Sequence, residues 1–182
     1  MSTISTVSRI VVSTAVVGAT VLAAPGTAHA VVPASAISAS RSMRWLAPAR
    51  GTIAVELDGS TLTADPFGRR ACRLRVDATL RLSGTITGTA SGVTTAIIGA
   101  PCEQVLATPP GTFADVFQFV GTFDGTVLGT KATARTLYAG VTEPGGAVSA
   151  GLALRGTASA SALVKAQAGG TGSYRGTASA PR

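Results

Sequence analysis

The sequence predicts an all-β protein, and three observations carry that prediction. From Ala71 to Ser83 the apolar residues Cys72, Leu74, Val76, Ala78, Leu80 and Leu82 alternate with Arg73, Arg75, Asp77, Thr79 and Arg81. Period-two alternation of that length gives a strand with one dry and one wet face. A second alternating stretch, Val116 to Leu137, places Phe117, Phe119 and Phe123 on one side of its first arm. Finally, Gly and Thr are abundant and aromatics make up only 4% of the chain, a composition that favours strands over helices. Gly-Thr recurs at irregular spacings from Gly51 to Gly176, so the chain is no solenoid. Gly inside strands marks bends, and repeated bends are what a small closed barrel needs to curl.

The amino terminus reads as a signal peptide over residues 1–30. Arg9 precedes an apolar run from Ile10 to Ala24, and Ala28-His29-Ala30 supplies the small-x-small cleavage pattern. The run is short of the ~20 apolar residues a membrane-spanning helix needs, although an uncleaved anchor is the competing reading. Cleavage after Ala30 predicts a secreted, extracellular protein with no membrane span. It also removes His29, the sole histidine. A mature chain without imidazole excludes His-based general bases, Ser-His-Asp and Cys-His nucleophiles, and most zinc sites. No cofactor and no metal site is expected.

Removing Arg9 leaves 14 of 15 basic residues against eight acids, a net charge of +6. Either this serves solubility alone or it favours an anionic cell-envelope surface. No Lys-rich tract with interleaved aromatics occurs, so nucleic acid is not expected as a partner. Cys72 and Cys102 are the two cysteines. In an oxidising compartment an even pair implies one disulfide, which on the chain-entropy model contributes about 3.6 kcal/mol, strain subtracting. Two buried free thiols are the alternative.

Residues 31–50 read as a flexible leader that docks at most through Trp45 and Leu46, with one domain over 51–182. In the domain, Ile53, Val55 and Leu57 alternate up to Asp58-Gly59, read as a turn with Ser60 to Ala64 returning. Asp65-Pro66-Phe67-Gly68 is a second turn, followed by Arg69 and Arg70. After the strand from Ala71, Gly84 to Gly99 reads as two short strands meeting near Ala90 to Gly92. Ala107 to Gly111 is a turn or lid loop. In the Val116–Leu137 hairpin, Asp124-Gly125 is the expected type I′ turn, where both central residues need positive φ. Glu143-Pro144-Gly145-Gly146 is a further turn. Val148 to Leu154, Ser161 to Ala166 and Ser173 to Ala178 are the last strands. Gly169-Gly170-Thr171-Gly172 lacks a following Lys-Ser/Thr and is no P-loop.

The run from Phe119 to Thr126, with Gly169-Gly170-Thr171-Gly172-Ser173-Tyr174-Arg175-Gly176, resembles the allene oxide cyclase and dirigent-like β-barrel superfamily. The likeness covers roughly Gly51 to Ala180. It implies an antiparallel barrel of about eight strands, and such barrels often enclose a cavity for one small apolar ligand. Within that superfamily the chain looks most like small bacterial secreted proteins of unassigned activity. No catalytic residue of the enzymes can be carried over position by position.

Three functions follow as expectations. The first is a non-enzymatic barrel binding a small apolar or aromatic ligand, with Phe117, Phe119, Phe123 and Tyr138 as cavity candidates. Plain core is the competing role for the three Phe. The second is a cationic protein contacting the envelope through a basic patch of Arg73, Arg75 and Arg81, with a solvated strand face kept charged against aggregation as the competing reading. The third is an isomerase or cyclase, which needs an inward acid or Tyr of perturbed pKa. Glu56, Asp115, Asp124, Tyr138 and Tyr174 are its candidates, with Asp124 assigned to turn chemistry and Glu56 to the wet face. The sequence leaves ligand identity and oligomeric state open.

Overall fold

Each long alternating run of the sequence forms a strand, and eight strands pair in chain order until the last meets the first. The structure, a computed structural model, describes residues 45–181. The expected signal peptide, His29 and residues 31–44 of the expected leader lie outside the described residues. The strands are β1 (Trp45–Phe67), β2 (Ala71–Gly84), β3 (Ile86–Ile98), β4 (Asp115–Val127), β5 (Thr130–Thr142), β6 (Ala147–Gly156), β7 (Ser159–Gln167) and β8 (Thr171–Ala180). A five-residue helix, α1 (Cys102–Leu106), lies between β3 and β4. Every neighbouring pair is antiparallel, and β1 pairs with both β2 and β8, so the sheet closes as a barrel. The expected all-β class and eight-stranded closed architecture are both present.

Closure follows from where the glycines stand. Gly88 pairs with Gly125, and Gly92 with Gly121, across β3 and β4. A Cβ on Gly125 would sit 2.8 Å from Gly88 Cα and 2.8 Å from Phe123 Cζ. Only glycine lets the two backbones approach this closely, and the approach curls the sheet. Phe119 and Phe123 fold their rings over the space that Gly121 and Gly125 leave empty.

The strand of Ala71 to Ser83 keeps its expected faces. Cys72, Val76, Ala78, Leu80 and Leu82 are buried inside, while Arg73, Arg75, Asp77 and Arg81 are exposed outside. One half of the barrel is filled by Ile53, Leu80, Ile86, Phe119, Phe123 and Leu154, all fully buried. Each such side chain contributes roughly 1.5–3 kcal/mol on burial. Tyr174 of β8 crosses this half. Its hydroxyl accepts from Ile86 N at 2.9 Å and lies 3.1 Å from the carbonyls of Ser83 and Ile86, to one of which it donates. That contact ties the last strand to the β2–β3 turn.

Five local expectations are corrected. Asp124-Gly125 is not a turn: β4 runs through it to Val127, and the turn is Leu128-Gly129, with φ of 54° and 78°. The paired glycines demand that Gly125 stay in the ladder, and Leu128 packs against the core from its αL position. Asp58-Gly59 does not reverse the chain either. Four residues of β1, 59–62, face the single β2 residue Val76, and pairing resumes at Thr63 with Arg75. Asp58 Oδ1 accepts from Ser60 N at 3.0 Å and Ser60 Oγ at 2.6 Å, so its turn chemistry closes a bulge. The chain reverses only at residues 68–70, after Asp65, Pro66 and Phe67 have paired with β2. Likewise Gly84 to Gly99 gives one strand, β3, instead of two, because Ala90 and Gly92 pair on both sides. The barrel also begins earlier than Gly51: β1 opens at Trp45, whose backbone pairs with Ala180 of β8.

Candidate functional site

The pairing of β1 with β8 ends at Ala54 with Thr171, while β1 continues to Phe67 on β2 alone. The two halves of the barrel therefore differ. Above Ile53 the interior opens into a cavity of about 370 Å³. Its walls are inward positions of the strands: Val55 and Leu57 of β1, Leu74 and Val76 of β2, Ala96 and Ile98 of β3, and Phe117 of β4. The segment from Val105 to Phe113 forms its lid, and Ala168 to Gly170 of the β7–β8 turn its rim.

The lid is tied down at several points. Cys102 at the start of α1 is bonded to Cys72, the first buried residue of β2. The pair lies 30 residues apart in sequence with Cα atoms 4.8 Å apart, so the expected disulfide is formed. At the far end Gly145 N donates to Gly111 O at 2.9 Å, and Gly99 N donates to Ala114 O at 3.2 Å. Leu57, Leu62 and Leu106 stand more than a third exposed around the mouth.

Two ionisable groups line this cavity. Asp115 opens β4 opposite Thr142 of β5, and both face inward. Its Oδ1 is buried with no hydrogen-bond partner. Burial raises the Asp115 pKa above the ordinary 3.8, and neighbouring Thr142 only partly offsets this. Tyr138 of β5 is pushed up to about 12 by burial, so its phenol stays neutral. Phe117 tilts onto Tyr138 with ring centroids 5.1 Å apart. Phe117 pairs across the ladder with Gly140, which lies between Tyr138 and Thr142. A Cβ at Gly140 would meet Ser149 O and Ala150 of β6, so glycine there lets β5 and β6 approach closely beside the cavity wall. The remaining polar lining is uncharged: Thr94, Thr108, Thr112, Thr142 and Gln167. No Lys or Arg lines the cavity among the described residues.

Of the four aromatic residues the sequence offers for a cavity, Phe117 and Tyr138 reach its wall. Phe119 and Phe123 lie fully buried in the filled half, where the rings cover Gly121 and Gly125. Tyr174 is spent on the Ser83–Ile86 contact, and burial raises its pKa despite the backbone hydrogen bond from Ile86. Asp124, exposed and outward, belongs to the β4 ladder between Thr89 and Thr133. Glu56 faces water as expected and holds Arg81 through two contacts, 2.6 and 3.0 Å. Arg73 reaches Asp65 at 3.5 Å. Two of the three arginines of the expected basic patch thus have acids beside them on β1, and Arg75 alone stands without an ion pair among the described residues. Thr108 to Gly111 line the cavity within the turn or lid loop read from the sequence, whereas Val105, Leu106 and the mouth residues Gly59 and Leu62 are not foreseen there. Their one sequence signal is the apolar pair Val105-Leu106 beside Pro109-Pro110, in a stretch with no strand period.

Fold and site together define a class: an antiparallel eight-stranded barrel, filled at one end and hollow under a disulfide-held lid at the other. No known protein-family profile matches the chain, and no curated protein matches it in sequence. Among the described residues no cluster of His, Cys, Asp and Glu is placed to hold a metal ion, and no helix is long and apolar enough to cross a membrane.

Proposed function

We propose that this protein binds one small, mainly apolar molecule in the hollow half of its barrel, as a secreted non-enzymatic carrier or sequestering protein. The observation that carries this reading is the cavity of about 370 Å³, walled by aliphatic side chains, Phe117 and a disulfide-held lid. Ligand pockets are typically concave, mostly apolar and supplied with a few convergent polar groups, a role open to Asp115, Tyr138 and Thr142. The disulfide supports an oxidising compartment, in line with the signal peptide read from residues 1–30. The likeness to the allene oxide cyclase and dirigent-like barrels supports the same reading.

The test is titration with a neutral apolar dye such as Nile red, on the wild type and on Ala96→Phe. Ala96 lies on the cavity wall between Leu74 and Phe117. A ring there occupies ligand space. Saturable one-to-one binding by the wild type is expected, weakened at least about tenfold in the variant while the melting temperature holds. A folded wild type without saturable binding overturns the reading.

One observation favours a second reading, an isomerase or cyclase in the same cavity. Asp115 and Tyr138 line the same cavity and both have raised pKa values, as acid–base groups in active sites commonly do. The envelope reading is weaker, because Glu56 and Asp65 offset Arg81 and Arg73. Retention on cell envelopes that is salt-dependent and lost when Arg73, Arg75 and Arg81 become Ser would restore it.

A further inference from the structure

We propose that the cavity selects ligands carrying a protonated amine on an apolar body, with the Asp115 carboxylate as the counter-ion. This rests on the reading of the cavity as a ligand site and names the chemistry of its occupant.

The argument starts from one unpaired atom. Asp115 Oδ1 is buried and has no hydrogen-bond donor. A buried acceptor without a partner is unfavourable, and the carboxyl of half-buried Asp115 is met by hydrogen bonds from Thr142 but by no counter-charge. The surrounding elements supply no cation. On β3 the residue paired with Asp115 is Ile98, and on β5 it is Thr142. From the lid come Thr112 and Phe113, and from the rim beyond come Gln167 and Ala168. Tyr138, the one other ionisable lining group, is neutral below about 12. The acids Glu103 on α1, Asp124 on β4 and Glu143 on the β5–β6 turn are exposed and do not line the cavity.

Three classes of polar headgroup can then be ranked on an otherwise equal apolar body. A carboxylate brings like charge to Asp115. An alcohol donates one hydrogen bond but leaves the charge uncompensated. An ammonium donates up to three hydrogen bonds and supplies the opposite charge in a low-dielectric setting, which roughly doubles the strength of each bond. Thr142, beside Asp115, offers an acceptor for a second N–H. Around this point the walls are aliphatic or aromatic, from Leu74 and Val76 to Phe117, so the remainder of the ligand is apolar.

The test compares octylamine, octan-1-ol and octanoate by isothermal titration calorimetry at pH 7, on the wild type and on Asp115→Asn. Octylamine, protonated at that pH, is expected to bind the wild type at least about tenfold more tightly than octanol, with octanoate weakest. Asp115→Asn is expected to erase that preference while keeping octanol binding. The amine preference should also shrink as the pH falls through the raised pKa of Asp115, where the carboxylate is protonated. If octanol binds the wild type as tightly as octylamine, the inference fails and the cavity reading stands. If the amine preference survives in Asp115→Asn, the role given to Asp115 is wrong. If none of the three binds, the cavity reading fails and takes the inference with it.

Discussion

Thr136 carries a hydroxyl that nothing satisfies. The residue is fully buried on the inner face of β5, and its Oγ1 has no hydrogen-bond partner. A buried unpartnered hydroxyl is destabilising by ~1–3 kcal/mol, and valine has nearly the same shape. Thr136→Val is expected to stabilise the barrel by about 1 kcal/mol, read from urea unfolding. A loss of stability would mean that the hydroxyl is satisfied by something within the filled half. Asp115 shows the same imbalance with a charge. Its pKa is raised in the folded state, so the protonated form is the one folding favours. The stability linked to it is fully present below the ordinary value of 3.8 and is lost as pH rises through the folded value. Asp115→Asn is therefore expected to melt higher than the wild type at pH 7, with the gap closing as the pH falls below 4. The opposite order at pH 7 would show that ionised Asp115 is stabilised by a partner in solution. Tyr138 has its own window: neutral phenol is favoured by folding, and this contribution is lost only between the ordinary 10.0 and about 12. Absorbance at 295 nm should therefore rise at higher pH in the folded protein than in the urea-unfolded chain, since Tyr174 is raised in the same direction.

At the scale of the strand, two glycines of similar sequence context hold different offices. Gly125 is in the β4 ladder against Gly88, where a Cβ would meet backbone. Gly129 is in the hairpin turn at φ 78°, with open space around it. Gly125→Ala must push β3 away and is expected to lose at least about 2 kcal/mol, as overpacking does. Gly129→Ala meets only the backbone preference and should lose about 1 kcal/mol. Urea midpoints of the two variants check the order, and a larger loss at Gly129 would return the turn to Asp124-Gly125. The signal against a turn at that dipeptide was present in the chain. Phe117, Phe119, Gly121, Phe123, Gly125 and Val127 keep one phase, so a turn at 124–125 would have broken a continuous inward face. Asp-Gly is a strong local cue, but locally nothing reveals that Gly88 will arrive opposite it. The β2 alternation was fully legible because its two faces differ in charge as well as apolarity. The bulge at 59–62 was not, since Asp58 and Ser60 make the same hydrogen bonds in a bulge as in a reversal. The disulfide partners were legible by count, and Phe117 and Tyr138 by phase. Which half of each inward face would be hollow was not legible, because Leu74 and Val76 on the cavity wall read no differently from Leu80 and Leu82 in the filled core.

Across the molecule, closure and hollowness are handled by separate devices. Tyr174 and the paired glycines close the filled end, which needs no covalent help. The hollow end lacks a packed interior, and beyond Ala54 β1 is an edge strand with no β8 partner, blunted by its bulge and by Pro66. Here the Cys72–Cys102 bond stands in for missing core, holding α1 and the lid to the wall. The bond should then act locally on the lid and globally through the unfolded chain. Replacing both cysteines by Ser is expected to lower stability by roughly 2–4 kcal/mol. Hydrogen exchange should quicken first at the amides of Val105 and Ala107, whose only anchors are the single turn of α1. The Ile86 amide, held by Tyr174 in the filled half, should keep its protection relative to global unfolding. Equal acceleration at both ends would mean that the barrel opens as one unit. In that case the disulfide would be supporting the whole fold, with no separate lid for it to hold.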